Sequence, residues 1–429
     1  MNLLDTKISI KNIIFKIGTF IFAFLVILNT RSAYMHIKGH ENISFIIFTM
    51  LLIVTAMCLC VSNLDIKKIK LSIISSIVIM GLFFLHYLTT SSEFDGTIKN
   101  GVMLCCCVVY FCCCINYDEC PLIFKYYKLI IVFICIISLL FWYFGSVKGL
   151  IPYKYVFSNW TGTGEYQRIK SYFGIYFERQ KNTDLFTKNF EIRNQAFFTE
   201  APMSSLHFSV ALMISALFNK NIRTKVIESI VLILGIISSV SSTGYIFILL
   251  LFGLIIIVKG LKSNKRIFFA LFVPLIMIVV YVLVMRLVGN KLESDSGKVR
   301  LDDFIIGFKV WKNNIFFGVG MQNSKPFRDL MGIERANNIG YSNSLMQLLG
   351  QCGLLFFIPI FIFNVLSIKK AVKNKEWNLL IFIILFDYLF IFTIITYNLL
   401  TMLVFVWCFI TNYKSDTEIE NDELLLEEV

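Results

Sequence analysis

The sequence predicts an all-α polytopic integral membrane protein with about twelve transmembrane helices and two large extracytoplasmic loops. Composition is the first reason: of 429 residues, 57% are hydrophobic, 15% aromatic and only 16% charged, too little polar surface to cover a soluble globule of this size. The second is that apolar runs of roughly 20 residues, enough for a helix to cross a bilayer, recur along the chain. The third is where the charge sits. The Lys and Arg behind the net charge of +12 fall in short clusters between apolar runs instead of lining one basic face, which fits membrane topology and argues against a nucleic-acid partner.

The expected spans are about 13–30, 43–62, 71–90, 101–117, 128–147, 204–219, 226–240, 243–258, 267–288, 342–366, 379–396 and 398–412. Residues 226–258 are flanked by two short basic linkers, NKNIRTK (Lys220, Arg223, Lys225) and KGLKSNKR (Lys259, Lys262, Lys265, Arg266), of the kind held in the cytoplasm. That block therefore crosses twice, turning at SSVSSTG, 238–244, where small hydroxyl side chains can satisfy backbone groups freed at the break. Lys7, Lys11 and Lys16, DIKKIK at 65–70 and KKAVKNK at 369–375 fall on the same cytoplasmic side, so both termini are expected there. Two long segments, about 148–203 and 289–341, then face outward.

Residues 1–412 read as one polytopic membrane domain, and 413–429 as an acidic, solvated cytoplasmic tail. No cleavable signal peptide and no internal repeat is expected. The twelve cysteines, including CCCVVYFCCC at 105–114, read as small apolar filler within spans, with lipid modification or redox chemistry as alternatives. No metal-site spacing occurs, the four His (His36, His40, His86, His207) are scattered, and no Gly-rich stretch ends in Gly-Lys-Ser/Thr. No cofactor is expected, and chemistry outside the membrane needs a substrate that arrives already activated.

The first outer segment interleaves Tyr153, Tyr155, Trp160, Tyr166, Tyr172 and Tyr176 with Arg168, Lys170, Arg179 and Arg193. Aromatic faces stack on the apolar faces of sugar rings, and guanidinium forks grip phosphate oxygens in two places at once. A lipid-linked sugar pyrophosphate offers both targets; an interfacial aromatic belt with charged anchors is the plainer reading. In the second segment Asp302 and Asp303 favour a helix start, and Phe304, Phe308, Trp311 and Ile315 follow at helical spacing. This predicts an amphipathic helix on the outer membrane surface, ended where Gly318 and Gly320 permit a tight turn, with Arg300 at headgroup height.

Four weak motifs come in order: RNQAFFTEAP at 193–202, SSVSSTG at 238–244, VRLDDFIIGFKVWKNNIFFGVGMQNS at 299–324 and YSNSLMQLLGQCGLLFF at 341–357. Together they resemble the O-antigen polymerase and ligase superfamily, which includes Wzy-type polysaccharide polymerases, over roughly residues 190–365. The resemblance implies glycosyl transfer at the outer face of a bacterial cytoplasmic membrane, from a polyprenyl-diphosphate-linked oligosaccharide. It also implies a possible chain-length regulator as partner. Cationic side chains would stabilise the departing diphosphate: Arg193 and Arg300 first, with Arg168, Arg179, Arg328 and Arg335 behind them. Glu200, just before Pro202, reads either as a helix cap or as the base that accepts a proton from the attacking hydroxyl.

Ligases of the superfamily place a His before the Asn that opens the helix after the second loop, whereas here Ser342 precedes Asn343, which moves weight towards a polymerase. His207 could act from another direction, or satisfy a backbone carbonyl; Asn343 would orient a hydroxyl or cap its helix. Two other classes stay open. Glu93 and Asp95 have the acid-x-acid spacing of metal-dependent membrane glycosyltransferases, and Asp387, deep in a span, is what a flippase or transporter would show.

Overall fold

The structure, a computed structural model, describes residues 3–62, 66–113, 120–160, 166–180, 192–262, 295–332, 335 and 340–410. The described chain is mostly helical: α1 Leu3–Asn29, α2 Ile43–Val61, α3 Ile66–Thr89, α4 Phe94–Cys113, α5 Leu122–Leu140, α6 Ala201–Phe218, α7 Ile222–Ser238 and α8 Ser242–Lys262 lead. There follow α9 Asp295–Asn313, the single turn α10 Lys325–Arg328, α11 Ser344–Lys373, α12 Trp377–Phe392 and α13 Leu399–Ile410. Among the described residues eight helices are long and apolar enough to cross a membrane, and α12 and α13 are apolar but shorter. The chain is a polytopic membrane protein. The span expected at 267–288 lies outside the described residues, as does the tail.

Boundaries follow local chemistry. Asn221 caps α7 by accepting from Arg223 N and Thr224 N, and Asn343 caps α11 by accepting from Met346 N. Pro202 sits in the first turn of α6, where a missing amide hydrogen costs no bond. Burial sorts the helices: 83% of the apolar window of α6 is buried against 11% for α3, so α6 is the central column and α3 presents most of its surface to lipid. Around α6 stand α5, α7, α8 and α12. Cys106, Cys107, Cys112 and Cys113 are buried in α4, as filler should be.

Hydrogen bonds gather alternate connections at one end of the bundle. The α1–α2 connection pairs Ser32 with Phe198 and Ile37 with Ser158; the α3–α4 turn meets Met321 through Ser92; the α12–α13 turn receives Ser344 N at Thr393 O. Because α6 runs away from this end to Phe218 and α11 to Lys373, the basic linkers at 219–225 and 369–375 lie at the opposite end. This is the charge asymmetry expected of a membrane protein.

The all-helical expectation is corrected between α5 and α6, where the chain forms a three-stranded antiparallel sheet: β1 Lys154–Ser158, β2 Gln167–Tyr172 and β3 Tyr176–Glu178, in that order. Phe173 and Gly174, at φ 53° and 72°, turn β2 into β3. Both edges are covered: Lys38 N donates to Phe157 O at 2.9 Å beside β1, and Phe177 N of β3 donates to Ala196 O at 2.9 Å. Trp142, on a π-helical turn that prolongs α5, packs with Tyr172 and Tyr176 beneath the sheet.

The segment that follows α9 crosses α11 at close range. Gly353 (φ 62°) interrupts α11, and the segment after α9 runs alongside the break: Val319 N donates to Gly350 O, Gly320 N to Gln351 O and Leu354 N to Ile315 O, at 2.9 to 3.0 Å. A Cβ on Gly318 would lie 2.4 Å from the Gln351 carbonyl carbon, so glycine is needed for approach as well as for its φ of 71°. The face α9 turns inward carries Asp303, Ile306, Gly307 and Val310, all buried. Of the expected stripe, Phe308 on α9 is 49% exposed and Ile315, two residues past its end, 41%, while Phe304 and Trp311 are half-buried.

Candidate active site

The site is built on the α7–α8 turn. Val240, at φ 49°, reverses the chain, and the segment before α6 is fastened to the result. Asn194 N donates to Ser238 O at 2.9 Å, Asn194 Nδ2 reaches Ser138 and Ser238 hydroxyls at 3.2 and 3.0 Å, and Arg193 Nε donates to Ser239 O at 3.0 Å. From the other side Arg300, one turn into α9, donates through Nη1 to Thr243 Oγ1 at 2.9 Å, and Tyr388 of α12 donates its hydroxyl to Thr243 O at 3.1 Å. Two arginines more than a hundred positions apart in sequence thus rest on one five-residue stretch, 239–243.

Glu200 occupies the residue position that precedes α6, yet its carboxylate makes no cap bond. Gln180 takes that role, its Oε1 accepting from Ala201 N at 2.9 Å. Of the two readings of Glu200, the side-chain cap is therefore set aside. Its Oε1 instead faces Arg31 Nη1 at 3.5 Å, with 32% of the Arg31 side chain and 17% of the Glu200 side chain exposed. Burial lowers the pKa values of Arg31, Arg179 and Arg300, and at all three the Glu200 charge opposes the shift. For Arg179 the result is a fall to about 10, still cationic at neutral pH. Glu200 thus contacts Arg31 and acts through space on Arg179 and Arg300.

Arg179 also lies 4.6 Å over the Trp160 ring, and its Nη1 is buried with no hydrogen-bond partner among the described residues. His36 completes the group. Desolvation, then the charges of Arg31 and Arg179, bring its pKa down to about 4, so the imidazole is neutral at physiological pH. Chemically, such a cluster can receive a polyanion at several guanidinium forks while one carboxylate stays within reach of an incoming hydroxyl.

The other expected site residues lie elsewhere. Arg335 is corrected from substrate binding to structure: with 6% of its side chain exposed, it donates to Asp303 Oδ1 at 2.6 Å, Asp302 Oδ2 at 3.1 Å and Gly340 O at 2.7 Å. Asp303 is fully buried and also accepts from Ser342 N and Oγ at 2.9 and 2.6 Å, so it organises this loop and not the start of α9, eight residues earlier. His207 is inside α6, fully buried, stacked 4.1 Å from Phe198, with Nδ1 on Tyr127 Oη at 2.6 Å and Nε2 on Thr30 O at 3.1 Å. Both nitrogens are occupied, which removes it as a proton acceptor and leaves it the carbonyl-satisfying role.

Tyr172 is likewise corrected from sugar platform to sheet core, 1% exposed with its hydroxyl donated to Glu178 at 2.9 Å. Asn343 caps α11. Arg168 stacks 3.6 Å over Tyr155 on the exposed sheet surface, and Arg328 is exposed on α10, apart from the turn-centred group. Both carboxylate oxygens of Asp387 accept from Asn364 Nδ2, at 2.7 and 2.8 Å, and Asp95 lies in the first turn of α4. Arg31 is the residue that sequence reasoning missed. A lone basic residue at the end of the first span carried only an anchor's signal; the backbone bridge from Ser32 to Phe198 makes it Glu200's neighbour.

A second concavity, of about 810 Å³, opens between the 34–40 loop and the sheet, lined among others by Tyr34, Lys38, His40, Tyr153, Lys154 and Phe157. No curated protein matches the chain. Residues 227–361, from α7 through the Arg300 helix to the first half of α11, match the family model described as O-antigen ligase. Over that stretch, less than half of its length, the chain carries an O-antigen ligase-type domain, which supports the resemblance to the O-antigen polymerase and ligase superfamily.

Proposed function

We propose that this protein polymerises lipid-linked oligosaccharide repeat units at the outer face of the bacterial cytoplasmic membrane, transferring the growing glycan from a polyprenyl-diphosphate donor. The observation that carries the reading is the convergence of Arg193 and Arg300 on the 239–243 turn, with Glu200 as the carboxylate whose charge reaches Arg300. The acceptor hydroxyl oxygen forms a bond to the donor's anomeric carbon. The anomeric C–O bond to the diphosphate breaks, and its electron pair leaves with the phosphate. The hydroxyl proton passes to Glu200. Negative charge grows on the leaving oxygen as it departs, where fixed guanidinium groups lower the barrier most.

Two further features support it. The aromatic and basic cleft at Tyr34, Tyr153 and Lys154 has the character of a glycan surface. An apolar cleft of about 420 Å³ between α3, α4, α11 and α13 suits a prenyl chain. The turn whose Thr396 and Tyr397 line one part of it is tied to the site, since Leu399 N donates to Asn29 Oδ1 at 2.8 Å, two residues from Arg31. In this orientation both termini are cytoplasmic, and a chain-length regulator would dock from within the membrane or from that side.

A ligase that hands finished glycan to another lipid is the second reading, favoured by the description of the matching family model. Against it, Ser342 commits its hydroxyl to Asp303 and offers no base. In cells lacking the native gene, Arg193→Ala and Arg300→Ala are expected each to abolish long-chain polymer, with the protein still in the membrane and single lipid-linked units accumulating. Normal chain length from both variants would remove their assigned role; full-length polymer left on the carrier lipid would identify a ligase.

A further inference from the structure

Arg31 stands in an unusual backbone state. Its φ of 57° is left-handed, a conformation strained for a non-glycine residue, and it persists only where surrounding structure fixes it. Here that fixation is visible. Arg31 N donates to Asn29 O at 3.0 Å, Thr199 N donates to Arg31 O at 3.1 Å, and the preceding Thr30 carbonyl accepts from the buried His207 at 3.1 Å, reading that ring nitrogen as the protonated one. The fold thus maintains strain in order to aim one guanidinium at Glu200.

The contact it makes there is weak. It is a single N–O approach of 3.5 Å, not a bidentate fork, and both side chains keep some solvent access. Partly solvated pairs of this kind contribute little, while each charge-assisted bond to a phosphate oxygen is shorter and stronger. Arg31 therefore has a better partner than the one it holds, if a polyanion enters. His36 and Arg179 mark where that anion would sit, since Arg31 and Arg179 both act on His36 and Glu200 is felt at both arginines.

We propose that the Arg31–Glu200 pair is an exchangeable anion site: the diphosphate of the donor takes Arg31 away from Glu200, and the carboxylate is freed only once the donor is bound. This rests on the polymerase reading above for the role of the freed carboxylate, while the exchange itself is a matter of binding. It makes Arg31 a diphosphate-binding residue and its ion pair a latch that keeps the carboxylate engaged in the empty site.

The test is the affinity of inorganic pyrophosphate for the full-length protein in nanodiscs, by calorimetry, for wild type, Glu200→Gln, Arg31→Ala and the double variant. Glu200→Gln removes the competitor and is expected to bind pyrophosphate about two- to fivefold more tightly. Arg31→Ala is expected to bind about tenfold more weakly, and the double variant no more tightly than Arg31→Ala. Unchanged or weaker binding by Glu200→Gln overturns the exchange, and does so even if Arg31→Ala fails to fold. So does tightening of equal size in the Arg31→Ala background, which would mean general repulsion by Glu200. If this affinity pattern holds but the same nanodiscs join no lipid-linked oligosaccharide, the exchange stands and the polymerase reading falls.

Discussion

Arg335→Leu separates structure from binding at a residue the sequence places among the phosphate ligands. In the fold Arg335 neutralises Asp303, which has no exposed surface and keeps only the Ser342 amide and hydroxyl when the guanidinium is removed. Breaking a buried ion pair by deleting one partner costs ~3–5 kcal/mol, because a charge stays behind in a poor solvent. The variant should therefore lose that much stability while its pyrophosphate affinity, once folded, stays at the wild-type value. Desolvation already raises the pKa of Asp303 against the opposing effects of Ser342 and Arg335, and removing Arg335 raises it further. The native variant then holds a proton that the unfolded chain releases at lower pH. Its stability deficit should shrink as pH falls and grow as pH rises through the folded-state value. Asp303→Asn in the same chain removes the stranded charge and should restore part of the loss. The assay is thermal unfolding of purified protein between pH 5 and 8. Wild-type unfolding combined with lost pyrophosphate binding would refute the structural assignment.

Gly318→Ala places a methyl 2.4 Å from the Gln351 carbonyl carbon, at a φ of 71°, and should prevent accumulation of folded protein. Gly332→Ala, with nothing within 4 Å among the described residues, should not; equal yields in membrane fractions would contradict the crossing of α11. His36, held near pKa 4, resists protonation that the unfolded chain accepts near 6.5, so it contributes stability above pH 6.5 that is lost as pH falls towards 4. His36→Gln should flatten that acid-side decline, measured by thermal unfolding. Pyrophosphate should raise the His36 pKa in histidine-labelled NMR spectra by offsetting Arg31 and Arg179, and an unmoved titration would place the anion elsewhere. Chelation of divalent cations should leave turnover unchanged; loss restored by added metal would return weight to Glu93 and Asp95.

Membrane class, most helix positions and the α7–α8 turn were readable because bilayer thickness and basic linkers impose strong, local signals. The sheet was hidden by composition, since its tyrosines and arginines look the same as an interfacial belt. In hindsight, KYVFS and QRIKSY separated from YFE by a Phe-Gly turn carry a strand signature. The inward face of α9 was missed because the aromatic stripe dominates its periodicity, whereas the inner face uses Asp303 and Gly307 for close approach. Within the candidate site, Arg193, Arg300 and Glu200 stood out by their positions at a membrane border, and the fold brings both arginines to the 239–243 stretch. Arg335, Tyr172 and His207 could not be told from ligands, because residue type does not reveal whether a partner awaits in the fold. Arg31 needed a contact spanning 169 positions, which no local pattern encodes.

Polymerisation can be followed by reconstituting the purified protein with a single species of polyprenyl-diphosphate-linked repeat unit and recording chain growth together with release of polyprenyl diphosphate. Longer lipid-linked glycans are expected, with one diphosphate lipid released per unit joined, and neither product from Arg193→Ala or Arg300→Ala. Release of no diphosphate lipid by the wild type, or undiminished joining by both variants, would contradict the polymerase reading.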